Sequence, residues 1–245
     1  ALAMNGEQAV MVFPEAGLGA RIFPADLSQY MTEHYREQGV EVHAGVTVQA
    51  IDRRGDGFVL RGKAGEEIPV DHIIAGIGIH PNVELAESAG ISVVSPNGGG
   101  GILVDKYLRT NQPDVYAAGD VASFFSPALA RIVRVEHADN ASSMGRVAGL
   151  NLAGRATPYE TLPFFYSDLF EHGYEAVGDL DSRLQTIAEW QEPFQKGVIY
   201  YLRSRQVRGV LLWNIWDQVD AARKLIEEGR SYRQAGALLP LTDGA

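Results

Sequence analysis

Short apolar runs and one amphipathic segment alternate over the first 80 residues. The pattern predicts a strand at 9–13, a helix that opens at Pro24, strands at 40–43 and 46–51 followed by a polar hairpin, and a buried strand at 73–78. Strand, helix, strand and meander in this order are typical of a nucleotide-binding α/β unit. We expect the unit to be incomplete, because its first strand and any phosphate-binding glycine turn would precede residue 1.

The period of the pattern then changes several times. We expect a short helix at 82–89 capped by Asn82, strands at 91–94, 102–104 and 115–118, an irregular segment at 124–135, and a helix from about Glu136 to Leu152. Two prolines follow, Pro158 and Pro163, and they place a domain boundary near residue 160.

Beyond that boundary the apolar positions alternate with a period of two. They predict strands at 174–179, 186–190, 197–203 and 206–213, and one amphipathic helix at 217–228. The tail is therefore expected to be a small α+β domain, an antiparallel sheet with a helix.

One stretch carries candidate chemistry. In 115–122, an apolar run leads into three small residues that end at Gly119, and Asp120 follows them. Small residues let a ligand approach the backbone closely, and a carboxylate at that point accepts hydrogen bonds from ligand hydroxyls. From these residues alone, an ordinary Gly-Asp turn is an equally good interpretation.

Composition excludes several classes of protein. A formal net charge of −10 argues against a general binder of nucleic acid, which needs clustered Lys and Arg. The sequence has no cysteine, so thiolate ligands and a dithiol redox relay are excluded for this chain. No apolar run approaches the roughly 20 residues that span a bilayer.

Six sequence blocks together resemble a known family. They are Phe13-Pro14-Glu15, 71–86, 115–122, Arg134-Val135-Glu136-His137, 167–169 with 173–178, and 196–203 with 212–215. In this order they resemble the C-terminal half of the FAD-dependent pyridine nucleotide oxidoreductases, in the branch that contains apoptosis-inducing factor. Ferredoxin and rubredoxin reductases share the earlier blocks more loosely.

The resemblance implies a fold and a domain division. The fold class is α/β, with C-terminal portions of two dinucleotide-binding, Rossmann-like domains followed by the small α+β domain. The expected domains are a partial NAD(P)H-binding domain at 1–79, the C-terminal part of the FAD-binding domain at 80–160, and an interface or dimerisation domain at 161–245.

For FAD, the resemblance implies that Asp120 binds the ribityl chain, with Gly119 beside it. Glu136, His137 and Ala138 stand at the start of the helix, whose free N–H groups and positive dipole end favour negative charge on a reduced flavin. His137 would lie near the flavin and nicotinamide rings and position them. We assign it no proton transfer, because hydride transfer depends on alignment more than on acid–base chemistry.

For the nicotinamide nucleotide, the resemblance implies three further residues. Gly78 would let the backbone pass close to the nucleotide, although a packing glycine in a turn is an alternative. Glu175 would accept from the carboxamide, although a Glu on an antiparallel strand is usually solvated. Tyr166 occupies the position of an aromatic residue, usually Trp, that covers the ring system; aromatic runs are more often core.

The implied function is hydride transfer from NAD(P)H to FAD and onward to an unidentified acceptor. The alternative is a catalytically inactive short form or fragment that acts as a protein-interaction module. Expected partners are the nicotinamide nucleotide, the electron acceptor, and a second copy or another protein; nucleic acid and membrane insertion are not expected. No catalytic acid–base residue and no metal site are predicted.

Neither glycine fingerprint of the family lies within these residues. We therefore expect a fragment, a short isoform or one piece of a split protein, in which the isolated chain lacks a complete cofactor site. The family would place it in mitochondria if the source is eukaryotic and in the cytoplasm if it is bacterial.

Overall fold

The computed structural model describes residues 1–232. They divide into two compact units, one formed by residues 1–78 with 181–184 and the other by 79–180 with 185 onwards. The predicted domain bounds 1–79, 80–160 and 161–245 stay predictions, and the end of the last one lies outside the described residues.

The first unit is built on a parallel strand pair with a helix between its strands. β1 (Val10–Phe13) pairs with β2 (Glu41–Ala44), and α1 (Ala25–Glu37) begins directly after Pro24. Leu27 and Met31 are fully buried on the apolar face of α1, as their spacing predicts. An antiparallel meander follows, formed by β3 (Val48–Arg54), β4 (Gly57–Gly62) and β5 (Glu67–Val70).

The prediction of a strand at 73–78 is wrong. Residues 72–83 form no regular element, and the Ile77 side chain is 93% exposed. A strand that is buried on both faces needs paired neighbours on each side, and within the described residues no strand pairs with this run. A gap of about 560 Å³ lies between it and Val10 and Val12 of β1. Apolar composition alone therefore does not show whether a run has strands to pair with.

The second unit begins with a small mixed sheet covered by a helix. Its elements are α2 (Glu84–Ser88), β6 (Ile102–Leu103), β7 (Ala122–Ser126), β8 (Arg131–Arg134) and α3 (Ala138–Leu152). β6 runs parallel to β7, and β7 runs antiparallel to β8. Leu108, Phe124 and Met144 are buried between this sheet and α3.

Four local predictions in this region are wrong. The run at 91–94 makes an isolated bridge from Val93 to Ile102 instead of a strand, and the residue before α2 is Val83, so Asn82 does not cap that helix. The segment 124–135, expected to be irregular, contains most of the β7–β8 hairpin. The run at 115–118, expected to be a strand, makes a single bridge from Tyr116 to Arg109. In the hairpin Phe124 is buried while Phe125 is 56% exposed, so two adjacent aromatics hide the alternation that identifies a strand. Within residues 1–232, no strand pairs with the 115–118 run to extend its bridge into a ladder.

The α+β part is as predicted. Five strands form one antiparallel sheet in the order β11-β12-β13-β10-β9. They are β9 (Phe164–Leu169), β10 (His172–Gly178), β11 (Gln185–Glu192), β12 (Lys196–Arg203) and β13 (Gln206–Trp213). α4 (Val219–Glu227) buries Ala222, Leu225 and Ile226 against it. β9 was not predicted, because its aromatic run carries no period of two. None of the helices within residues 1–232 combines the length and hydropathy needed to cross a bilayer.

Candidate functional site

The Asp120 turn lies beside helix α3. Residues Gly119–Val121 form one 3-10 turn, in which Gly119 has φ +79°. That left-handed conformation favours glycine, and a Cβ at Gly119 would stand 3.6 Å from that of Ala141. Asp120 is exposed and contributes the only carboxylate to a mostly apolar cleft of about 670 Å³ in the second unit. A carboxylate at an apolar cleft can orient the hydroxyl groups of a bound ligand.

Arg134 organises the backbone around this turn, and sequence reasoning missed it. Its guanidinium donates to the carbonyl oxygens of Gly99 (2.7 Å) and Asp120 (2.9 Å), and it pairs with the Glu136 carboxylate at 2.7 Å. The Arg134 side chain is only 11% exposed. The i, i+2 spacing to Glu136 could have suggested that the two side chains share a face. The contacts with Gly99 and Asp120 had no local signal.

His137 occupies the N-cap position of α3, and one nitrogen of its ring is buried. Its backbone is extended, its side chain makes no capping bond, and its ring lies 4.5 Å from that of Phe165, centroid to centroid. Nδ1 is buried and has no hydrogen-bond partner among residues 1–232. Burial lowers the pKa of His137, and the carboxylates of Asp120, Glu136 and Asp139 partly oppose that shift. The imidazole is therefore neutral near pH 7 and free to bond through Nδ1. Ala138 is exposed beside it at the first helical position.

Glu175 and Tyr166 face each other across strands β10 and β9. Directly opposed residues of an antiparallel pair lie on the same face of the sheet. Tyr166 is 67% exposed, whereas Oε2 of Glu175 is buried and unpartnered. Desolvation, and secondly the charge of Asp217, raise the pKa of Glu175, while the Asp217 backbone N–H donates to the carboxylate and lowers it. The pair offers a hydrogen-bond acceptor beside an exposed ring.

Gly78 is the last continuous residue of the first unit before residue 79. It has φ +89°, and no atom lies within 4 Å of the position that a Cβ would take. Its backbone is therefore open to close approach. The structure brings Asp120, Glu136 and His137 together, and the contact between His137 and Phe165 connects them to β9.

A second residue that sequence reasoning left without a role is Glu15, just beyond the end of β1. Its carboxylate pairs with Arg21 at 2.5 Å. In dinucleotide-binding folds, an acidic residue that follows the second strand bonds the ribose 2′-hydroxyl of NAD. The block Phe13-Pro14-Glu15 contained that signal.

These residues fit a flavin and a nicotinamide nucleotide. Two buried polar atoms, His137 Nδ1 and Glu175 Oε2, lack partners, and buried polar groups are normally hydrogen-bonded. Gly119 leaves the backbone of the Asp120 turn open. The donors and acceptors suit hydroxyl and amide groups on a planar ligand.

Comparison with known proteins agrees with this geometry. The family model described as pyridine nucleotide-disulphide oxidoreductase matches residues 1–145, and the model for the C-terminal region of mitochondrion-associated apoptosis-inducing factor matches 148–193 and 188–228. Mitochondrial apoptosis-inducing factor 1 of Dictyostelium discoideum is 36% identical over 241 residues, which are 93% of this chain and 45% of that protein.

Two solved structures share the fold. A ferredoxin reductase of Rhodopseudomonas palustris superposes with a TM-score of 0.82 at 27% identity, over 94% of this chain and 56% of that one. Putidaredoxin reductase, in its covalent complex with putidaredoxin, gives 0.81 at 28% identity, over 96% of this chain and 57% of the other. The chain thus spans about half the length of the relatives it matches.

The predicted family is confirmed, as are the α/β fold class and FAD and NAD(P)H as the cofactors of that family. The chain belongs to the FAD-dependent pyridine nucleotide-disulphide oxidoreductases and matches the C-terminal part of their apoptosis-inducing-factor-like branch.

Proposed function

We propose that this chain supplies the C-terminal side of the cofactor sites of an oxidoreductase that takes hydride from NAD(P)H to FAD and passes electrons to a separate acceptor. The observation that carries the proposal is the pair of buried, unpartnered polar atoms, His137 Nδ1 and Glu175 Oε2. Each is an incomplete hydrogen-bonding group of the kind that a bound ligand completes.

The Asp120 turn and the start of α3 would hold FAD. Asp120 would accept hydrogen bonds from the ribityl hydroxyls, and Gly119 would allow the backbone to approach them. Glu136, His137 and Ala138 mark the positive end of the α3 dipole, which favours an electron-rich ring edge. When bound, FAD supplies an isoalloxazine ring that accepts a hydride and releases electrons to an acceptor.

His137 is proposed to orient the ring system without moving a proton. Its lowered pKa keeps the imidazole neutral, and its packing on Phe165 fixes the ring plane. Hydride transfer gains most from such alignment. A neutral, fixed imidazole is suited to that role.

In the second unit, Glu175 and Tyr166 would receive the nicotinamide ring. Oε2 of Glu175 would accept a carboxamide N–H, and the exposed Tyr166 ring would cover the planar ring beside it. In the first unit, the open backbone at Gly78 would permit close approach of a nucleotide. Glu15 would bond the ribose 2′-hydroxyl, which favours NADH over NADPH.

The proposed acceptor is a small one-electron redox protein. The proposal rests on the similarity to a ferredoxin reductase and to putidaredoxin reductase in complex with putidaredoxin.

The test is flavin uptake by the purified chain. FAD is added, unbound flavin is removed by gel filtration, and the visible spectrum is recorded before and after NADH. Retained flavin that bleaches on NADH addition supports the proposal, and Asp120→Ala should reduce retention while the exposed-turn control Asp56→Ala should not. An Asp120→Ala mutant that retains as much flavin as wild type contradicts the proposed site. A chain that retains no flavin favours the interaction module over the oxidoreductase.

A further inference from the structure

A short loop after β13 carries an exposed tryptophan next to Glu175. Trp216 is 46% exposed, whereas Trp213, three residues earlier, is completely buried. An indole that stays in water next to a buried carboxylate oxygen is not explained by core packing. Exposed aromatic side chains of this kind are enriched at binding surfaces.

Both ends of this loop are fixed to β10. The Asn214 backbone N–H donates to the Gly173 carbonyl at 2.8 Å, and the Asn214 side-chain oxygen accepts from the Gly173 N–H at 2.6 Å. At the other end, the Asp217 N–H donates to the Glu175 carboxylate. Asn214 and Asp217 both have positive φ, 50° and 62°. Trp216 is thus held in place by its neighbours on either side.

The indole rests directly on Gly173. A Cβ at that glycine would stand 2.6 Å from Cη2 and 2.8 Å from Cζ2 of Trp216, which is closer than real contacts allow. Gly173 and Glu175 are two apart on β10, so they present the same face of the sheet. Trp216 therefore lies beside Glu175 along β10, and Tyr166 lies opposite it on β9. Two exposed rings flank one carboxylate.

We propose that Trp216, together with Tyr166 and Glu175, forms a subsite that prefers the oxidised, positively charged nicotinamide ring to the reduced, neutral one. The inference rests on the proposed function of Glu175 and adds a residue and a charge preference to it. The face of an indole attracts cations through its quadrupole. The carboxylates of Glu175 and Asp217 add negative charge at the same place.

The charge preference can be measured with a small probe. Oxidised and reduced nicotinamide mononucleotide are titrated into the full chain by calorimetry, with wild type, Trp216→Leu, Trp216→Phe and the control Trp190→Phe. Trp190 is half-buried on β11, where it packs on Phe194. Trp216→Leu should weaken binding of the oxidised form about 3- to 30-fold and that of the reduced form less than about 2-fold. Trp216→Phe should retain most of the affinity, and Trp190→Phe all of it.

The experiment distinguishes a failure of the proposed role of Glu175 from a failure of the Trp216 subsite. If wild type binds neither form, the proposed role of Glu175 is wrong and the subsite with it. If wild type binds but Trp216→Leu binds equally well, or loses both forms equally, only the subsite is wrong. Should Trp216→Leu fail to fold by circular dichroism, the calorimetric titrations of wild type carry the test. Tighter binding of the oxidised probe than of the reduced probe supports the subsite, and equal binding of the two probes overturns it.

Discussion

Arg134 donates a 2.9 Å hydrogen bond from Nη1 to the backbone carbonyl of Asp120, while its other nitrogens reach Gly99 and Glu136. One nearly buried guanidinium thus fixes the turn that presents the candidate flavin carboxylate. A planar fork with several donors is required, and an ammonium cannot reproduce it.

Arg134→Lys is therefore expected to destabilise the chain by about 1–3 kcal/mol, the range for lost hydrogen bonds to charged groups. The measurement is urea unfolding followed by circular dichroism. Arg53→Lys, at an exposed position on β3, is the matched control and should change little. Equal stability of Arg134→Lys and wild type would show that the three contacts do not organise the turn.

The depressed pKa of His137 predicts a loss of stability in acid. The unfolded chain binds a proton near the ordinary value of about 6.5, and the folded chain resists it. Stability should therefore be fully present above that value and should fall as the pH drops below it. His137→Gln should remove part of this fall, as seen by comparing unfolding free energies at pH 7.5 and 5.5. The exposed His72→Gln is the control, and the same pH dependence in His137→Gln and wild type would contradict the prediction.

Sequence patterns predicted the elements whose apolar positions recur with a clear period. Helix α1 and the strands after residue 170 have clear periods, and the structure has them. The run at 73–78 and the β7–β8 hairpin were misjudged, because exposure of Ile77 and Phe125 depends on what lies across the sheet.

The candidate site likewise divides into residues that the sequence identifies and contacts that it does not. The positions of Asp120 and His137 could be identified from sequence blocks. The contacts of Arg134 with Gly99 and Asp120 join residues 35 and 14 positions apart, and the packing of Trp216 on Gly173 joins β10 to the loop after β13. The spacing of apolar positions along the chain does not predict such contacts.

The raised pKa of Glu175 predicts that stability changes with pH in the direction opposite to that predicted for His137. Its ionised form is disfavoured in the folded chain, so its contribution to stability is fully present below the ordinary value of about 4.5 and is lost as the pH rises through the folded pKa. Glu175→Gln keeps an acceptor for the Asp217 N–H and removes the charge. It should stabilise the chain at pH 7 and give no gain near pH 4, measured by urea unfolding. The exposed Glu227→Gln should show no such pH-dependent gain, and a destabilised Glu175→Gln at pH 7 would refute the assignment.

Glu15 and Arg21 together predict which nicotinamide dinucleotide binds. Glu15 would repel the 2′-phosphate of NADPH, and its ion pair occupies Arg21, whose side chain is 82% exposed. Glu15→Ala removes the repulsion and frees Arg21 to pair with that phosphate. The ratio of NADPH to NADH affinity should rise by about tenfold, equivalent to about 1.4 kcal/mol. The ratio is measured by calorimetric titration of both nucleotides. In Glu15→Ala/Arg21→Ala the part of the gain that comes from Arg21 should vanish. An unchanged ratio in the single mutant would mean that Glu15 does not face the ribose.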